Sequence, residues 1–192
     1  TVQEAGGEPE TYTLVGANLS GSAVVSPLLV DLSSSPGASR IYDGGTAVAA
    51  SLLQINNIVS GDSVALNGNA TLASKNVGTR AITSLAGLTL NNSNYTLDEA
   101  STAATVAITA LPLHIETITH GTRVYNGGTV AAANLLQATN LIDGDVLTFS
   151  GAGVLASKDV GSRALTGLGS LAIDNSNYSL VGANLGGSVD IT

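Results

Sequence analysis

Two histidines are the first side chains in this sequence whose type suggests chemistry, as metal ligands or as general bases. A zinc site needs several ligands from Cys, His, Asp or Glu at suitable spacing. The chain has no cysteine, and no carboxylate accompanies His114 or His120 at ligand spacing. We therefore predict no zinc site and interpret His114 as an exposed strand residue and His120 as a loop residue.

Carboxylates are the other candidate metal ligands, since 14 Asp and Glu stand against six Lys and Arg. Asp143 and Asp145, on either side of Gly144, form a close pair, but Ser60 replaces Asp143 at the equivalent position 83 residues earlier. A calcium-binding loop needs a longer alternation of carboxylates that ends in glycine. We therefore predict no calcium site and interpret both aspartates as solvated turn residues.

Groups for covalent chemistry are equally scarce. The sequence shows no Ser-His-Asp grouping, no nucleophile elbow and no phosphate-binding loop. The two lysines, Lys75 and Lys158, are candidates for an isopeptide cross-link, but no acid that would promote that reaction is evident beside them. We therefore predict that the chain is not an enzyme and uses no cofactor.

The charge balance narrows the range of partners. The net charge is −8 with only six Lys and Arg, so no basic cluster exists to displace counterions from phosphates or to dock on an anionic membrane. No apolar run approaches the roughly 20 residues that span a bilayer. The sequence thus argues against nucleic acid as a partner and against membrane insertion.

The strongest signal in the sequence is an internal repeat with a period of 83 residues. Aligned without gaps, residues 38–109 and 121–192 share 34 identities in 72 positions. Residues 11–19, TYTLVGANL, match residues 177–185, NYSLVGANL, at twice that offset. Chance does not produce such a match.

This periodicity predicts three segments. Residues 27–109 form repeat A and residues 110–192 form repeat B, while residues 1–26 form the terminal hairpin of a preceding repeat or a pair of exchanged strands. The stretch around Pro112 is the only plausible linker. Because it is so short, we expect neighbouring repeats to pack end to end with restricted bending.

Local patterns within each repeat predict β structure. Turn residues recur about every ten positions, and Asn67-Gly68 has the composition of a type I′ hairpin turn. Leu113 and Ile115 alternate with polar residues, as expected of a sheet with one face in water. We predict an all-β fold made of tandem, small, β-sandwich-like repeats in an elongated end-to-end array.

Two structural alternatives remain open. The Ala-rich stretch 46–59 could support two turns of helix in place of strand. A parallel β-helix is the other all-β architecture. Its coils would recur about every 20–25 residues, which disfavours it against the observed period of 83.

Scarce residues recur in register, which marks them as structural parts of the repeat. Tyr42-Asp43-Gly44 is equivalent to Tyr125-Asn126-Gly127, and Tyr95 is equivalent to Tyr178. In the structural interpretation, Asp or Asn caps backbone amides, Gly supplies a positive φ, and Tyr packs its ring and bonds its hydroxyl to the backbone. A ligand-facing loop is the alternative, and the change from Asp43 to Asn126 disfavours it.

The order of these motifs resembles the YDG/MBG-type repeats of giant bacterial adhesins, which include filamentous-haemagglutinin-like exoproteins exported by two-partner secretion. The matching residues are Tyr42-Asp43-Gly44, Gly61-Asp62, Lys75-Asn76-Val77-Gly78 and Asn94-Tyr95-Thr96-Leu97, with their equivalents in repeat B. The resemblance covers essentially the whole chain. Asn126 in place of the motif Asp, and a doubled Gly after it, depart from the pattern.

This resemblance implies a secreted protein of a bacterial cell surface or extracellular matrix, whose repeats lack a catalytic site. The implied partners are neighbouring repeats of the same chain, identical chains in a fibre, and surface glycans. We favour a stalk or spacer; the alternatives are a filament subunit that uses residues 1–26 for strand exchange, and a weak glycan-binding module. Aromatic residues make up only 3% of the chain, which counts against sugar stacking.

Overall fold

The structure is a computed structural model that describes residues 22–98 and 103–192. The hairpin predicted for residues 1–26 lies outside the described residues up to residue 21. Residues 22–26 have no regular secondary structure and are exposed, Val24 and Val25 almost completely. The rest of the described chain forms strands, turns and short 3-10 turns, which confirms the all-β prediction.

Repeat A is built from short strands and one 3-10 turn, Ala50–Leu52. Its strands are β1 (Leu28–Leu29), β2 (Leu32–Ser34), β3 (Ser39–Ile41), β4 (Ala47–Ala49), β5 (Leu53–Ile55), β6 (Leu66–Leu72), β7 (Gly78–Ser84), β8 (Leu88–Leu90), β9 (Tyr95–Thr96) and β10 (Thr105–Thr109).

Repeat B has strands over equivalent ranges and its 3-10 turn at Ala133–Leu135. Its strands are β11 (Leu111–Thr117), β12 (Thr122–Arg123), β13 (Val130–Ala132), β14 (Leu136–Ala138), β15 (Phe149–Ser150), β16 (Ala152–Leu155), β17 (Gly161–Gly167), β18 (Ala172–Ile173), β19 (Tyr178–Gly186) and β20 (Ser188–Ile191). However, β11 spans the range of both β1 and β2, and β15 and β16 together span that of β6.

The two repeats share one five-strand path. Its order is β3-β10-β7-β6-β4 in repeat A, where β8 also pairs with β6, and β12-β20-β17-β16-β13 in repeat B. The first pair of each path is parallel, and the others are antiparallel. The opening strands pair in separate, smaller sheets: β11 lies between β14 and β19, while the shorter β1 and β2 pair with β9 and β5.

Side chains from the sheets meet in an apolar core. Leu113 and Ile115 of β11 are fully buried, whereas the residues that alternate with them are exposed, so the predicted alternation is confirmed. Val189 and Ile191 of β20 are buried in the same way. Burial of each such side chain contributes roughly 1.5–3 kcal/mol. The buried residues of the two repeats form one continuous cluster.

Asn67-Gly68 does not form the predicted hairpin, because β6 runs straight through it. Residues up to Gly68 pair with β8, and those after it pair with β4 and β7. Gly68 has a φ of 89°, and a Cβ there would lie 2.1 Å from the Gly87 carbonyl oxygen. A positive-φ glycine in close contact with backbone thus lets one strand change partners.

The Ala-rich stretch 46–59 forms no α-helix. It contains β4, a single 3-10 turn and β5. The strands that hold its buried Val48 and Leu53 pair with β6 and β2. Pairing and burial therefore override the helix propensity of alanine.

Candidate functional site

The contact between the two repeats brings together tyrosine, lysine, aspartate and asparagine side chains. β10 ends at Thr109 and β11 begins at Leu111, so a single residue, Ala110, links the repeats. Repeat A contributes the turn after β3 and the turn between β6 and β7. Repeat B contributes the loop between β14 and β15 and the start of β19.

The Asp145 carboxylate is the centre of this contact. Its Oδ2 accepts hydrogen bonds from the hydroxyls of Tyr42, at 2.7 Å, and Tyr178, at 2.8 Å. Its Oδ1 lies 3.5 Å from Lys75 Nζ. Tyr42 and Lys75 belong to repeat A and Tyr178 to repeat B, so one carboxylate of repeat B is bonded from both sides. The Asp145 side chain is only 10% exposed, which strengthens these charge-assisted bonds.

The environment of this carboxylate fixes the protonation states that its bonds require. The hydrogen bond from Tyr42 is the largest influence that lowers the pKa of Asp145, and it outweighs the opposing effect of burial; Tyr178 and Lys75 act in the same direction. Burial raises the pKa of Tyr42, and it raises the pKa of Tyr178 to about 12. The carboxylate is therefore ionised and both hydroxyls keep their protons around neutral pH.

Asn177 forms a second link across the contact, with bonds in both directions. Its Oδ1 accepts from the Val77 backbone amide at 2.9 Å. Its Nδ2 donates to Asn76 Oδ1 at 3.1 Å. The side-chain amide thus satisfies a backbone donor that the turn between β6 and β7 would otherwise leave to water.

Apolar contacts also hold the two repeats together. We call the whole contact between the repeats, centred on Asp145, the joint. The rings of Tyr42 and Tyr178 meet edge to face, with centroids 5.7 Å apart and an interplanar angle of 74°. This geometry is favourable beyond simple burial. Ile142 of repeat B lies against Gly44, where a Cβ would come within 2.5 Å of Ile142 Cγ2. Glycine at this position therefore allows close approach as well as a φ of 78°.

The turns predicted as structural motifs have nearly the same local bonding in the two repeats. Asp43 Oδ1 accepts from the Gly45 amide at 2.8 Å, and Asn126 Oδ1 accepts from the Gly128 amide at 3.0 Å. Arg40 and Arg123 each donate to the capping side chain of their turn and to the carbonyl two residues after it, that of Gly45 or Gly128. Gly127 has a φ of 77°, close to that of Gly44.

Tyr95 has the environment of Tyr178 within its own repeat. Its hydroxyl donates to Asp62 Oδ2 at 2.7 Å and accepts from the Val59 amide at 3.0 Å. The Tyr178 hydroxyl likewise accepts from the Ile142 amide, at 2.8 Å. This Asp-Tyr-amide arrangement is therefore part of each repeat and exists independently of the contact between repeats.

Two sequence-based interpretations need correction. The Tyr42 hydroxyl does not bond to the backbone of its own turn, since its partner is a carboxylate 103 residues away. Asp145 is not a solvated turn residue, although Asp143 is exposed. Sequence reasoning missed the joint because it judged each repeat alone. The recurrence of Lys75, Asp62 and Asn94 at Lys158, Asp145 and Asn177 was the signal that could have revealed it.

The other candidate side chains for metal binding or cross-linking are exposed in the structure. His114 and His120 are exposed, and Lys158 is exposed. Within residues 22–98 and 103–192, no three His, Cys, Asp or Glu side chains are grouped closely enough to hold a metal ion. A groove of about 500 Å³ beside β14 is lined by residues such as Leu136, Gln137 and Phe149, without a titratable group. The same residues include no helix long and apolar enough to cross a membrane.

Comparison with known proteins identifies the repeat unit. The family model described as the YDG domain matches residues 27–104 and again residues 109–185. Neither the curated proteins nor the solved structures contain a match to the chain. The two matched ranges hold the residues of both sides of the joint. The chain therefore belongs to the YDG domain family and carries two copies of that domain.

Proposed function

We propose that the chain is a structural spacer: a segment of stalk in a secreted bacterial surface adhesin or an extracellular fibre. The observation that carries this proposal is the Asp145 carboxylate, bonded from both repeats at a joint with a one-residue link. The resemblance to adhesin repeats supplies the extracellular setting, and the absence of cysteine is compatible with it. Antibody labelling of intact cells of the native organism tests that setting.

A spacer works by holding a fixed distance, and the joint is what makes that possible. Two domains on a flexible linker explore many separations, and their mean reach grows only with the square root of linker length. Repeats that pack on one another instead add their lengths and share stability through nearest-neighbour contacts. Bonds at Asp145 and Asn177, with the Tyr42–Tyr178 ring contact, resist both bending and twisting because they involve separate turns.

The glycan-binding alternative has less support in the described residues. Tyr42, Tyr95 and Tyr178 are buried and bonded to carboxylates, so their rings offer no platform for a sugar. Tyr125 is 48% exposed. Strand exchange by residues 1–26 concerns a segment that lies mostly outside the described residues.

A distance measurement across the joint tests the spacer proposal. The chain has no cysteine, so spin labels placed at Thr89→Cys and Ala172→Cys, exposed equivalent positions of the two repeats, are unambiguous. Pulsed electron resonance is expected to give one narrow distance distribution. Adding Asp145→Ala and Asn177→Ala should broaden it, because the bonds across the joint are lost.

The matched control is the same labelled chain with Asp62→Ala and Asn94→Ala. These are the equivalent residues of repeat A, and neither has a bond across the joint within the described residues. The control should therefore keep the narrow distribution. A broad distribution in the parent chain, or equal broadening in both variants, would contradict the spacer role.

A further inference from the structure

The joint has two unlike halves. We call the half from repeat A the donor face; it comprises Tyr42, Gly44, Lys75, Asn76 and Val77. We call the half from repeat B the acceptor face; it comprises Ile142, Asp145, Asn177 and Tyr178. Tyr42, Lys75 and the Val77 amide donate to Asp145 and Asn177 of the acceptor face.

Each repeat carries both faces in its sequence. The donor face of repeat B consists of Tyr125, Gly127, Lys158, Asp159 and Val160. The acceptor face of repeat A consists of Val59, Asp62, Asn94 and Tyr95. The two differences from the internal joint are compatible with its bonding. Asp159 replaces Asn76 as an acceptor for an amide, and Val59 replaces Ile142 as an apolar contact.

The donor face of repeat B is formed but uncovered. Its turn is bonded like that of Tyr42, yet Tyr125 is 48% exposed where Tyr42 is 1% exposed. Val160 is 61% exposed, whereas Val77 is partly buried. A Cβ built on Gly127 meets nothing within 4 Å, in contrast to the close contact at Gly44.

The acceptor face of repeat A is equally ready. Tyr95 already holds Asp62 in the position that Tyr178 gives to Asp145. Within the described residues, Asp62 receives this one side-chain bond, whereas Asp145 receives three. Val59 is 55% exposed, and Asn94 is exposed. A carboxylate, an amide and an apolar side chain are thus exposed at the positions equivalent to those that bind a donor face at the internal joint.

We infer that the donor face of repeat B binds the acceptor face of repeat A in a second copy of this chain, so that copies join head to tail by repeating the internal joint. Tyr125 and Lys158 of one copy then donate to Asp62 of the next, and the Val160 amide donates to Asn94. The charges of Lys158 and Asp62 are complementary. A donor face meets an acceptor face and not its own kind, so the contact is heterologous and can propagate.

This inference rests on the proposed function, because it extends the same joint to a partner. The contact between copies should be weaker than the internal joint. At the internal joint the one-residue link holds the two faces at a high effective concentration, of order millimolar or above. Separate copies are not held together by such a link, so their association is weaker than at the internal joint and increases with the concentration of the chain.

Cross-linking between introduced cysteines tests the inference on the full chain. Asn94→Cys and Asp159→Cys place one thiol on each face, at positions equivalent to the contacting pair Asn177 and Asn76. A short bifunctional thiol reagent should convert this variant into a ladder of covalent oligomers. Asn76→Cys with Asn177→Cys is the positive control and should give a linked monomer. Thr89→Cys with Asp159→Cys, which moves one thiol off the acceptor face, should react at least roughly tenfold more slowly.

A second arm establishes which faces meet. Chains with only Asn94→Cys and chains with only Asp159→Cys should each give little dimer, and a mixture of the two should give the mixed dimer. Tyr125→Ala added to the Asp159→Cys chain should slow that reaction roughly tenfold, as expected for about 1.4 kcal/mol of lost contact.

Three outcomes would overturn the inference. The first is a ladder that forms no faster than with the Thr89→Cys control. The second is equal amounts of mixed and self dimers. The third is an unchanged rate of cross-linking in the Tyr125→Ala variant. Oligomers whose rate of formation is unchanged by Tyr125→Ala would favour strand exchange by residues 1–26 instead. A narrow spin-label distance in a chain that fails to cross-link would leave the spacer function standing and remove only the contact between copies.

Discussion

Tyr42 and Tyr125 are the same residue in the same turn, and their surroundings differ almost completely. In both turns an Asx side chain caps an amide, an arginine braces the loop, and glycine adopts nearly the same φ. Yet Tyr42 is buried against repeat B, and Tyr125 is half in solvent. The turn forms within a single repeat, whereas burial of its tyrosine requires contact with an adjacent repeat.

The chain thus has two kinds of stabilising contact, those within a repeat and those between the repeats. The bonds of the Asx turn and of the Asp-Tyr-amide arrangement are present in both repeats, whereas the bonds across the joint are present once in the described chain. Each residue of the joint therefore has a natural control 83 positions away, of the same or closely similar type and with the same local structure. Differences between paired substitutions measure the coupling between repeats directly.

Truncation of the buried tyrosine should have the largest effect. Tyr42→Ala removes a buried ring, its edge-to-face contact and its bond to Asp145, and we expect a loss of about 3–5 kcal/mol in the free energy of unfolding. Tyr125→Ala should cost less than about 1 kcal/mol, since that side chain is half exposed. Urea denaturation of the two variants measures both losses. Equal losses would mean that the joint adds no stability.

Removal of the central carboxylate should rank second. Asp145→Ala leaves two tyrosine hydroxyls without their acceptor in a nearly dry site, at a cost of about 2–3 kcal/mol. Asp62→Ala removes the acceptor of one hydroxyl, that of Tyr95, at a more exposed place, and it should cost about 1 kcal/mol. Thermal unfolding followed by calorimetry should show one transition in the parent chain and two in Asp145→Ala. A single transition in Asp145→Ala would show that the repeats are coupled by other contacts.

Alanine at the glycine that contacts Ile142 should give a smaller difference between the two repeats than truncation of the tyrosine, and a second substitution should reverse it. Gly44→Ala and Gly127→Ala both force alanine into a positive φ, at about 1–2 kcal/mol each. Gly44→Ala also pushes a Cβ against Ile142 and should cost roughly 1–2 kcal/mol more. Chemical denaturation gives the difference. Adding Ile142→Ala should shrink the excess caused by Gly44→Ala, and an unchanged excess would place its origin elsewhere.

Acid should weaken the joint by a modest amount. The folded-state pKa of Asp145 lies below its ordinary value, so its contribution is complete above the unfolded value, about 3.9, and is lost as pH falls through the folded value. The pKa of Tyr178 is raised to about 12, so its contribution is complete below its unfolded value of about 10 and is lost as pH rises through 12. Stability measured from pH 2 to 7 should fall less steeply in Asp145→Asn than in the parent chain. Equal slopes would exclude Asp145 as a source.

The sequence allowed the all-β fold and the repeat to be predicted, because alternation and self-similarity are properties of neighbouring residues and of register. Leu113 and Ile115 were placed correctly for that reason. Asn67-Gly68 was not, since a positive-φ glycine is used both to end a strand and to bend one, and the choice depends on the pairing with β8. The role of Asp145 depends on a tyrosine in the other repeat, which no local pattern specifies.

The presence of both faces in every repeat has a consequence for how such a chain can change in length. A recombination event that inserts or deletes one whole unit of 83 residues brings a donor face and an acceptor face together at the new boundary, with the same one-residue link between them. The new boundary requires no new contact surface, and it leaves no existing face without a partner at that boundary. A change in length by whole units would therefore keep the same contact at each boundary.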